Sequence, residues 1–123
     1  MEKKKCLIVD DSGVVRKISR KIVESLGFEA IEAENGKHAL EITETTTPYL
    51  ILLDWNMPVM NGLEFLKAYH EKQKQNNVKI IFVTTENDVV KIMTAIEAGA
   101  NEYIMKPFDE EILKTKLTQM GLI

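Results

Sequence analysis

Apolar residues form two alternating patterns along this chain, short continuous runs and longer segments with helical spacing. Strands are predicted at residues 5–9, 50–53 and 78–83, which contain the continuous apolar runs 6–9, 50–53 and 80–83; such runs are typical of strands buried on both faces of a parallel sheet. Residues 28–33 alternate apolar and polar side chains, as a half-buried strand at a sheet edge would. A short fifth strand is predicted at residues 102–105.

Between and after these strands, apolar residues recur at the spacing of amphipathic helices. Asp11 or Ser12 can cap the first helix, Gly27 ends it, and Asp109 can cap the last one. Residues 71–77 are polar and predict a helix end followed by a loop. The apolar positions of the five helices are Val14, Val15, Ile18, Ile22, Val23, Leu26; Ala39, Leu40, Ile42; Leu63, Phe65, Leu66, Tyr69; Val89, Val90, Ile92, Met93, Ile96, Ala98; and Ile112, Leu113, Leu117.

Five strands alternating with five helices predict an α/β fold with right-handed crossovers and helices on both faces of the sheet. We expect a flavodoxin-like, doubly wound, five-stranded parallel sheet in the order 2-1-3-4-5. This order places the most apolar strands, the first, third and fourth, at the centre. The alternating strand at residues 28–33 then lies at an edge.

Composition limits the function classes. A length of 123 residues fits a single domain, 1–123, and a net charge of −3 offers no basic patch for nucleic acid. The only cysteine, Cys6, lies in an apolar run and is expected to be a buried thiol in a reducing compartment. Because the chain has no signal-peptide pattern and no apolar stretch near ~20 residues, we expect a cytoplasmic protein without membrane contact.

Polar side chains stand where four of the predicted strands end. The first strand ends in Asp10-Asp11, the third in Asp54, the fourth in Thr84-Thr85 and the fifth in Lys106. In an open parallel sheet these ends share one edge, and in the order 2-1-3-4-5 the four strands are neighbours. The sequence therefore predicts one cluster of three carboxylates, hydroxyls and an ammonium group.

Each of these residues also has an ordinary explanation when it is taken alone. Asp10 and Asp11 could cap the first helix, Thr84 could be a plain strand end, and Lys106 a solvated lysine. Four such coincidences on neighbouring strands are less probable than one site. The two histidines, His38 and His70, have polar neighbours and are expected to be solvated.

Three neighbouring carboxylates repel one another, which raises their proton affinity or recruits a cation. A set of oxygen ligands without histidine or thiol favours a hard ion such as Mg²⁺. A carboxylate nucleophile, Mg²⁺, a lysine and a hydroxyl are the groups that phosphoryl transfer requires.

Four motifs resemble those of the receiver domains of two-component response regulators, in particular the stand-alone chemotaxis regulators. They cover essentially the whole chain and occur in the expected order. They are Val9-Asp10-Asp11-Ser12, Leu53-Asp54-Trp55-Asn56-Met57-Pro58 with Asn61-Gly62, Val83-Thr84-Thr85-Glu86, and Tyr103-Ile104-Met105-Lys106-Pro107-Phe108.

The resemblance implies a role for each site residue. Asp54 would be the phosphoacceptor, and Lys106 would pair with Asp54 or its phosphoryl group. Thr84 would move to hydrogen-bond the phosphoryl oxygen while Tyr103 rotates inward. The Mg²⁺ ligands would be Asp11, Asp54 and the backbone carbonyl of Asn56, with Asp10 close by; Lys106-Pro107 resembles the family's cis peptide bond.

Some positions depart from the family pattern or adjust it. Thr85 stands where alanine is common and could narrow access to the phosphoryl group, whereas Asn56 and Glu86 match a pair associated with its rapid loss. The family's usual output face, formed by the fourth helix, fifth strand and fifth helix, would present Asn87, Ile92, Tyr103, Lys116 and Gln119. Gln119 lacks the positive charge found there in the chemotaxis regulators, which weakens the case for a flagellar-motor partner.

The sequence thus predicts a phosphorylation-activated switch, monomeric and without an attached output domain. A histidine kinase or histidine phosphotransfer protein would supply the phosphoryl group, and the chain would catalyse only its own aspartyl phosphorylation and dephosphorylation. Alternatives are a phosphate sink and a receiver-like interaction module that is never phosphorylated. A phosphatase would want a second acid where Asn56 stands, and Asp10-Asp11 would repel the phosphate of a flavin.

Overall fold

A computed structural model describes residues 3–72, 77–85 and 89–123 of the chain. Strands and helices alternate in the order expected. Their bounds are β1 Lys5–Val9, α1 Gly13–Ser25, β2 Glu29–Ala33, α2 Gly36–Thr45, β3 Leu50–Asp54, α3 Gly62–Lys72, β4 Lys79–Thr84, α4 Val89–Glu97, β5 Glu102–Met105 and α5 Glu110–Gln119.

The five strands form one parallel sheet in the order β2-β1-β3-β4-β5, which confirms the predicted topology. Val9 lies opposite Leu53 in the register of β1 and β3, and Asp54 lies opposite Val83 in that of β3 and β4. The residues that follow β1 and end β3 and β4 are therefore neighbours at one edge of the sheet.

Each central strand contributes side chains to two hydrophobic clusters, one on each face of the sheet. Leu7 and Val9 of β1 pack with residues of α2, α3 and α4, whereas Cys6 and Ile8 pack with residues of α1 and α5. Side chains alternate across a strand, so a strand covered by helices on both faces must be apolar throughout. This explains the uninterrupted apolar runs in the sequence.

Side-chain caps start several helices. Ser12, rather than Asp11, caps α1, because its hydroxyl accepts a hydrogen bond from the Val15 amide at 3.2 Å. At the start of α3, Asn61 and Glu64 exchange hydrogen bonds between their side chains and backbone amides, which is a capping box. Because Ser12 takes the capping role, the Asp11 carboxylate is not needed for it.

Several apolar positions with helical spacing are exposed. Val14 and Ile18 of α1, Val89, Val90, Met93 and Ile96 of α4, and Ile112 of α5 are all at least 41% exposed. The predicted apolar faces of these helices therefore include surface positions, since only part of each face lies against the sheet. None of the helices within the described ranges combines the length and apolar character needed to cross a bilayer.

The β3–α3 loop, residues 55–61, is held against the end of β3. Gly62 donates its amide to the Trp55 carbonyl at 2.9 Å, and a Cβ at Gly62 would lie 2.3 Å from the Asp54 carbonyl oxygen. Gly36 donates its amide to the Met60 carbonyl at 3.0 Å. Glycine at position 62 thus allows the loop to close tightly beside Asp54.

Val59, within this loop, has a φ of 69° and is 75% exposed. A β-branched residue in the left-handed region is strained, at a cost of about 1–2 kcal/mol. Val59→Asn should therefore raise the free energy of unfolding by about 1 kcal/mol in urea denaturation, because asparagine tolerates this conformation.

Val59→Ala is the matched control, because it removes exposed apolar surface and the β-branch but keeps a Cβ at positive φ. Asparagine should stabilise the fold more than alanine does. Equal stability of the two variants would show that backbone strain at position 59 is not the cause.

Candidate functional site

Asp10 and Asp54 are buried carboxylates at the carboxyl edge of the sheet, with exposed fractions of 4% and 7%. Asp11 is exposed beside them. One carboxylate oxygen from each of the three residues lies within 4.8 Å of the others. The predicted carboxylate cluster therefore forms, with two members buried and one facing outward.

Lys106 places an ammonium group among these carboxylates. Its backbone amide donates to the Thr84 carbonyl at 2.8 Å, which extends the pairing of β4 and β5 by one residue. Its Nζ lies 2.9 Å from Asp10 Oδ2 and 3.5 Å from Asp54 Oδ1. Lys106 was expected to pair with Asp54, and in this structure its shorter contact is with Asp10. The Lys106–Pro107 bond is cis, as the family pattern implies.

Backbone amides orient both buried carboxylates. Ser12 donates its amide to Asp10 Oδ1 at 2.9 Å, and Trp55 donates its amide to Asp54 Oδ1 at 2.9 Å. Hydrogen bonds to an ionised acceptor are stronger than those between neutral groups. Both carboxylates are therefore preorganised by the turns that follow β1 and β3.

The environment of Asp54 disfavours its negative charge. Burial, followed by the negative charge of Asp10, raises the pKa of Asp54 from 3.8 to about 6, although Lys106 and the Trp55 amide act in the opposite direction. For Lys106, burial lowers the pKa, but hydrogen bonding to Asp10 and the two negative charges outweigh it, so the net pKa is raised. A cation at the cluster would lower the electrostatic cost of ionising Asp54.

The donor set fits a hard divalent cation. Asp10, Asp11 and Asp54 offer only carboxylate oxygens, and no His or Cys belongs to this group in the described part of the chain. Such ligands at such a spacing suit Mg²⁺ better than the softer metals that prefer nitrogen and sulfur. The cluster could therefore hold a metal ion.

Other predicted site residues lie around this centre. Thr84 is buried at the end of β4, Thr85 is exposed after it, and Asn56 is exposed in the loop after β3. Tyr103 is half-buried on β5, with the Lys116 Nζ 5.6 Å from its ring centroid. Glu86 and Asn87 lie outside the described residues.

Two residues near the site were not expected. Arg16 donates from Nη1 to the Asp10 carbonyl at 2.6 Å, and Lys91 places its Nζ 5.8 Å from the Trp55 ring centroid. The histidines do not join the site: His38 is exposed, and His70 is half-buried with Nε2 3.3 Å from the Gly99 carbonyl. His70 is therefore only partly solvated, whereas His38 is exposed as expected.

The family model for the response regulator receiver domain matches residues 6–118 of the chain. The chain belongs to this family. The receiver domain is 42% identical over 115 residues to the chemotaxis protein CheY homolog of Campylobacter jejuni, covering 92% of this chain and 88% of that protein. It is 41% identical over 115 residues to CheY1 of Helicobacter pylori, covering 92% and 93%.

Solved structures of CheY-like proteins have the same fold as this chain. CheY4 of Vibrio cholerae has a TM-score of 0.88 and 32% identity, covering 96% of this chain and 98% of that one. A CheY-like receiver protein of Methanospirillum hungatei has a TM-score of 0.87 and 30% identity, covering 97% and 94%. The receiver family consists of two-component signalling switches rather than classical enzymes, and the flavodoxin-like fold is confirmed.

The raised pKa of Asp54 generates a prediction for stability. Between about pH 4 and pH 6 the folded protein binds more protons at Asp54 than the unfolded chain does, so this residue makes stability fall as pH rises through that window. Without metal, Asp54→Asn should raise the free energy of unfolding near neutral pH by about 1–3 kcal/mol, and the gain should vanish near pH 4.

Asp11→Asn removes the same charge from an exposed position and is the matched control. Urea denaturation across this pH range should show a smaller effect for that variant, because its carboxylate is exposed. A pH-independent effect of Asp54→Asn, or a loss of stability near neutral pH, would contradict the assigned cost of ionising Asp54.

Proposed function

We propose that the chain is a phosphorylation-activated switch in which Asp54 accepts a phosphoryl group. The observation that carries this proposal is the convergence of Asp54 with Asp10, Asp11 and the Lys106 ammonium at one edge of the sheet. Membership of the receiver family supports the same role. The donor would be a histidine kinase or a histidine phosphotransfer protein.

Mg²⁺ would be held by the carboxylates of Asp11 and Asp54 and the backbone carbonyl of Asn56, with Asp10 beside it. The ion, when bound, offsets negative charge on the phosphoryl oxygens and on the carboxylates. Asp10 and Asp54 are already oriented by the Ser12 and Trp55 amides, so binding requires little reorganisation of the two.

In the transfer step, an Asp54 carboxylate oxygen attacks the phosphorus atom. A new O–P bond forms while the P–N bond of phosphohistidine breaks, and the donor imidazole keeps the electron pair of that bond. The raised pKa of Asp54 is compatible with this chemistry, because the nucleophile must lose its proton and does so above about pH 6. Lys106 Nζ lies 3.5 Å from Asp54 Oδ1 and would pair with the negatively charged phosphoryl oxygens after transfer.

Thr84 and Tyr103 would transmit the change. Thr84 is buried one strand from Asp54, and Tyr103 pairs in register with Phe82 of the same strand β4. Driving a two-state switch from 1:99 to 99:1 requires ~5.5 kcal/mol of differential stabilisation. New contacts from the phosphoryl group to Mg²⁺, Lys106 and Thr84 would supply part of it, while Thr85, Glu86 and Asn56 would tune the rates.

The output would be a protein–protein contact on the surface of α4, β5 and α5 around Tyr103. Each of these three elements carries exposed apolar side chains, and a protein partner would remove such side chains from water. They are Val89, Val90, Met93, Ile96, Met105 and Ile112. The downstream partner would bind there without nucleic acid or membrane, and the receiver would act as a cytoplasmic monomer over residues 1–123.

Intact-mass measurement after incubation with acetyl phosphate and Mg²⁺ tests the central step. One phosphoryl adduct is expected on the wild-type chain, and none on Asp54→Asn, which cannot form the acyl phosphate. EDTA should suppress the adduct, because the metal is needed to offset the charge on the phosphoryl oxygens.

Lys106→Met provides a further arm, since it keeps the length and apolar stem but removes the ammonium. Its adduct should form more slowly, while circular dichroism reports an intact fold. An adduct that persists in Asp54→Asn would overturn the proposal, and no adduct in the wild type would favour the interaction module that is never phosphorylated. A stable adduct with no change in the Tyr103 region would favour the phosphate sink.

A further inference from the structure

Arg16, in the first turns of α1, connects that helix to the end of β1. Its Nη1 donates to the backbone carbonyl of Asp10 at 2.6 Å, and its Nε donates to Glu32 Oε1 on β2 at 3.0 Å. The Arg16 side chain is only 19% exposed. A guanidinium presents its N–H groups in a rigid, planar fork, so the two contacts fix it in one orientation.

Glu32 is itself held in place. Arg20, one turn further along α1, donates from Nη1 to Glu32 Oε2 at 2.7 Å, so each oxygen of the carboxylate has its own arginine. Hydrogen bonding to Arg20 is the largest cause of the lowered pKa of Glu32, which keeps this carboxylate ionised. The Arg16 guanidinium is therefore anchored to the edge strand independently of Asp10.

Asp10 follows Val9, the last residue of β1 that pairs in register with Ala33. Its amide donates to the Ala33 carbonyl at 3.1 Å, and its carbonyl accepts from Arg16. Its carboxylate receives the Ser12 amide on Oδ1 and Lys106 Nζ on Oδ2, each at 2.9 Å. Arg16 thus holds the Asp10 carbonyl where the strand has ended, while Ala33 holds the Asp10 amide.

We propose that Arg16 is a positioning residue for the metal site: through the Asp10 carbonyl it keeps the Asp10 carboxylate where it converges with Asp11 and Asp54. The identity of the ion rests on the proposed function. Groups that orient metal ligands without touching the ion typically change metal affinity by about 10–100-fold. Because Arg16 acts on the backbone of Asp10, which lies beside the ion, we expect the lower end of that range.

The sign of the effect separates positioning from simple electrostatics. A positive charge near a cation site repels the cation, so loss of charge alone should strengthen Mg²⁺ binding. Loss of positioning should weaken it. Arg16→Lys keeps the charge but cannot reproduce the planar fork that reaches both Asp10 and Glu32. Arg20→Met is the matched control, because it also removes a guanidinium bound to Glu32 yet does not contact Asp10.

Titration of Mg²⁺ followed by the fluorescence of Trp55, the only tryptophan of the chain, provides the affinity. We expect the dissociation constant to rise about tenfold in Arg16→Met and in Arg16→Lys, and to change less than about twofold in Arg20→Met. Unchanged or tighter binding in both Arg16 variants would overturn the proposal, as would equal weakening in Arg20→Met.

Amide hydrogen exchange in the metal-free protein provides a second readout. The Ser12 amide donates to Asp10 Oδ1, so its exchange should accelerate in both Arg16 variants and not in Arg20→Met. If the Trp55 fluorescence of the wild type does not respond to Mg²⁺, the proposed function fails. The exchange rate of the Ser12 amide still tests whether Arg16 positions Asp10. Unchanged Ser12 exchange in the Arg16 variants would refute that role.

Discussion

The repulsion between the carboxylates of Asp10 and Asp54, both buried at one edge of the sheet, is the constraint on which this site depends. Unpaired buried charges are costly, and here one ammonium group, Lys106 Nζ, lies within 3.5 Å of both carboxylates. The exposed Asp11 adds a third negative charge. Among the described side chains the site therefore carries an excess of negative charge that a cation would neutralise. A change of charge at Asp54 consequently acts on its charged neighbours.

The fold brings these negative charges together and also holds the backbone around them. The order β2-β1-β3-β4-β5 places the ends of β1, β3, β4 and β5 side by side, and apolar side chains pack on both faces of the sheet. Around the edge, the tight approach of Gly62 to Asp54 and the contact of Arg16 with the Asp10 carbonyl hold the backbone. Val59, whose backbone is strained, lies in the β3–α3 loop beside Asp54. Backbone strain of this kind is often found beside functional sites.

The sheet order and the carboxylate cluster could be predicted because both depend on local patterns, namely continuous apolar strands and the polar residues that end them. The closer pairing of Lys106 with Asp10 than with Asp54 could not be predicted, because it depends on the difference between two short distances. Lys106 Nζ lies 2.9 Å from Asp10 Oδ2 and 3.5 Å from Asp54 Oδ1. The contact of Arg16 with the Asp10 carbonyl could not be predicted either, because its position on the helix does not distinguish a guanidinium bound to backbone from one in solvent. Exposure of Met93 and Ile112 was missed because helical spacing identifies an apolar face without saying what covers it.

The central claim is that one divalent cation binds at the carboxylate cluster, where Asp11 and Asp54 would hold it with Asp10 beside it. Calorimetric titration of Mg²⁺ tests it most directly when the wild type is compared with Asp11→Asn, since Asp11 is exposed and its loss should leave the metal-free fold intact. We expect one Mg²⁺ per wild-type chain and binding weaker by about tenfold or more in Asp11→Asn, with nearly equal unfolding free energies of the two proteins without metal. Equal Mg²⁺ affinity in the two proteins would contradict the central claim.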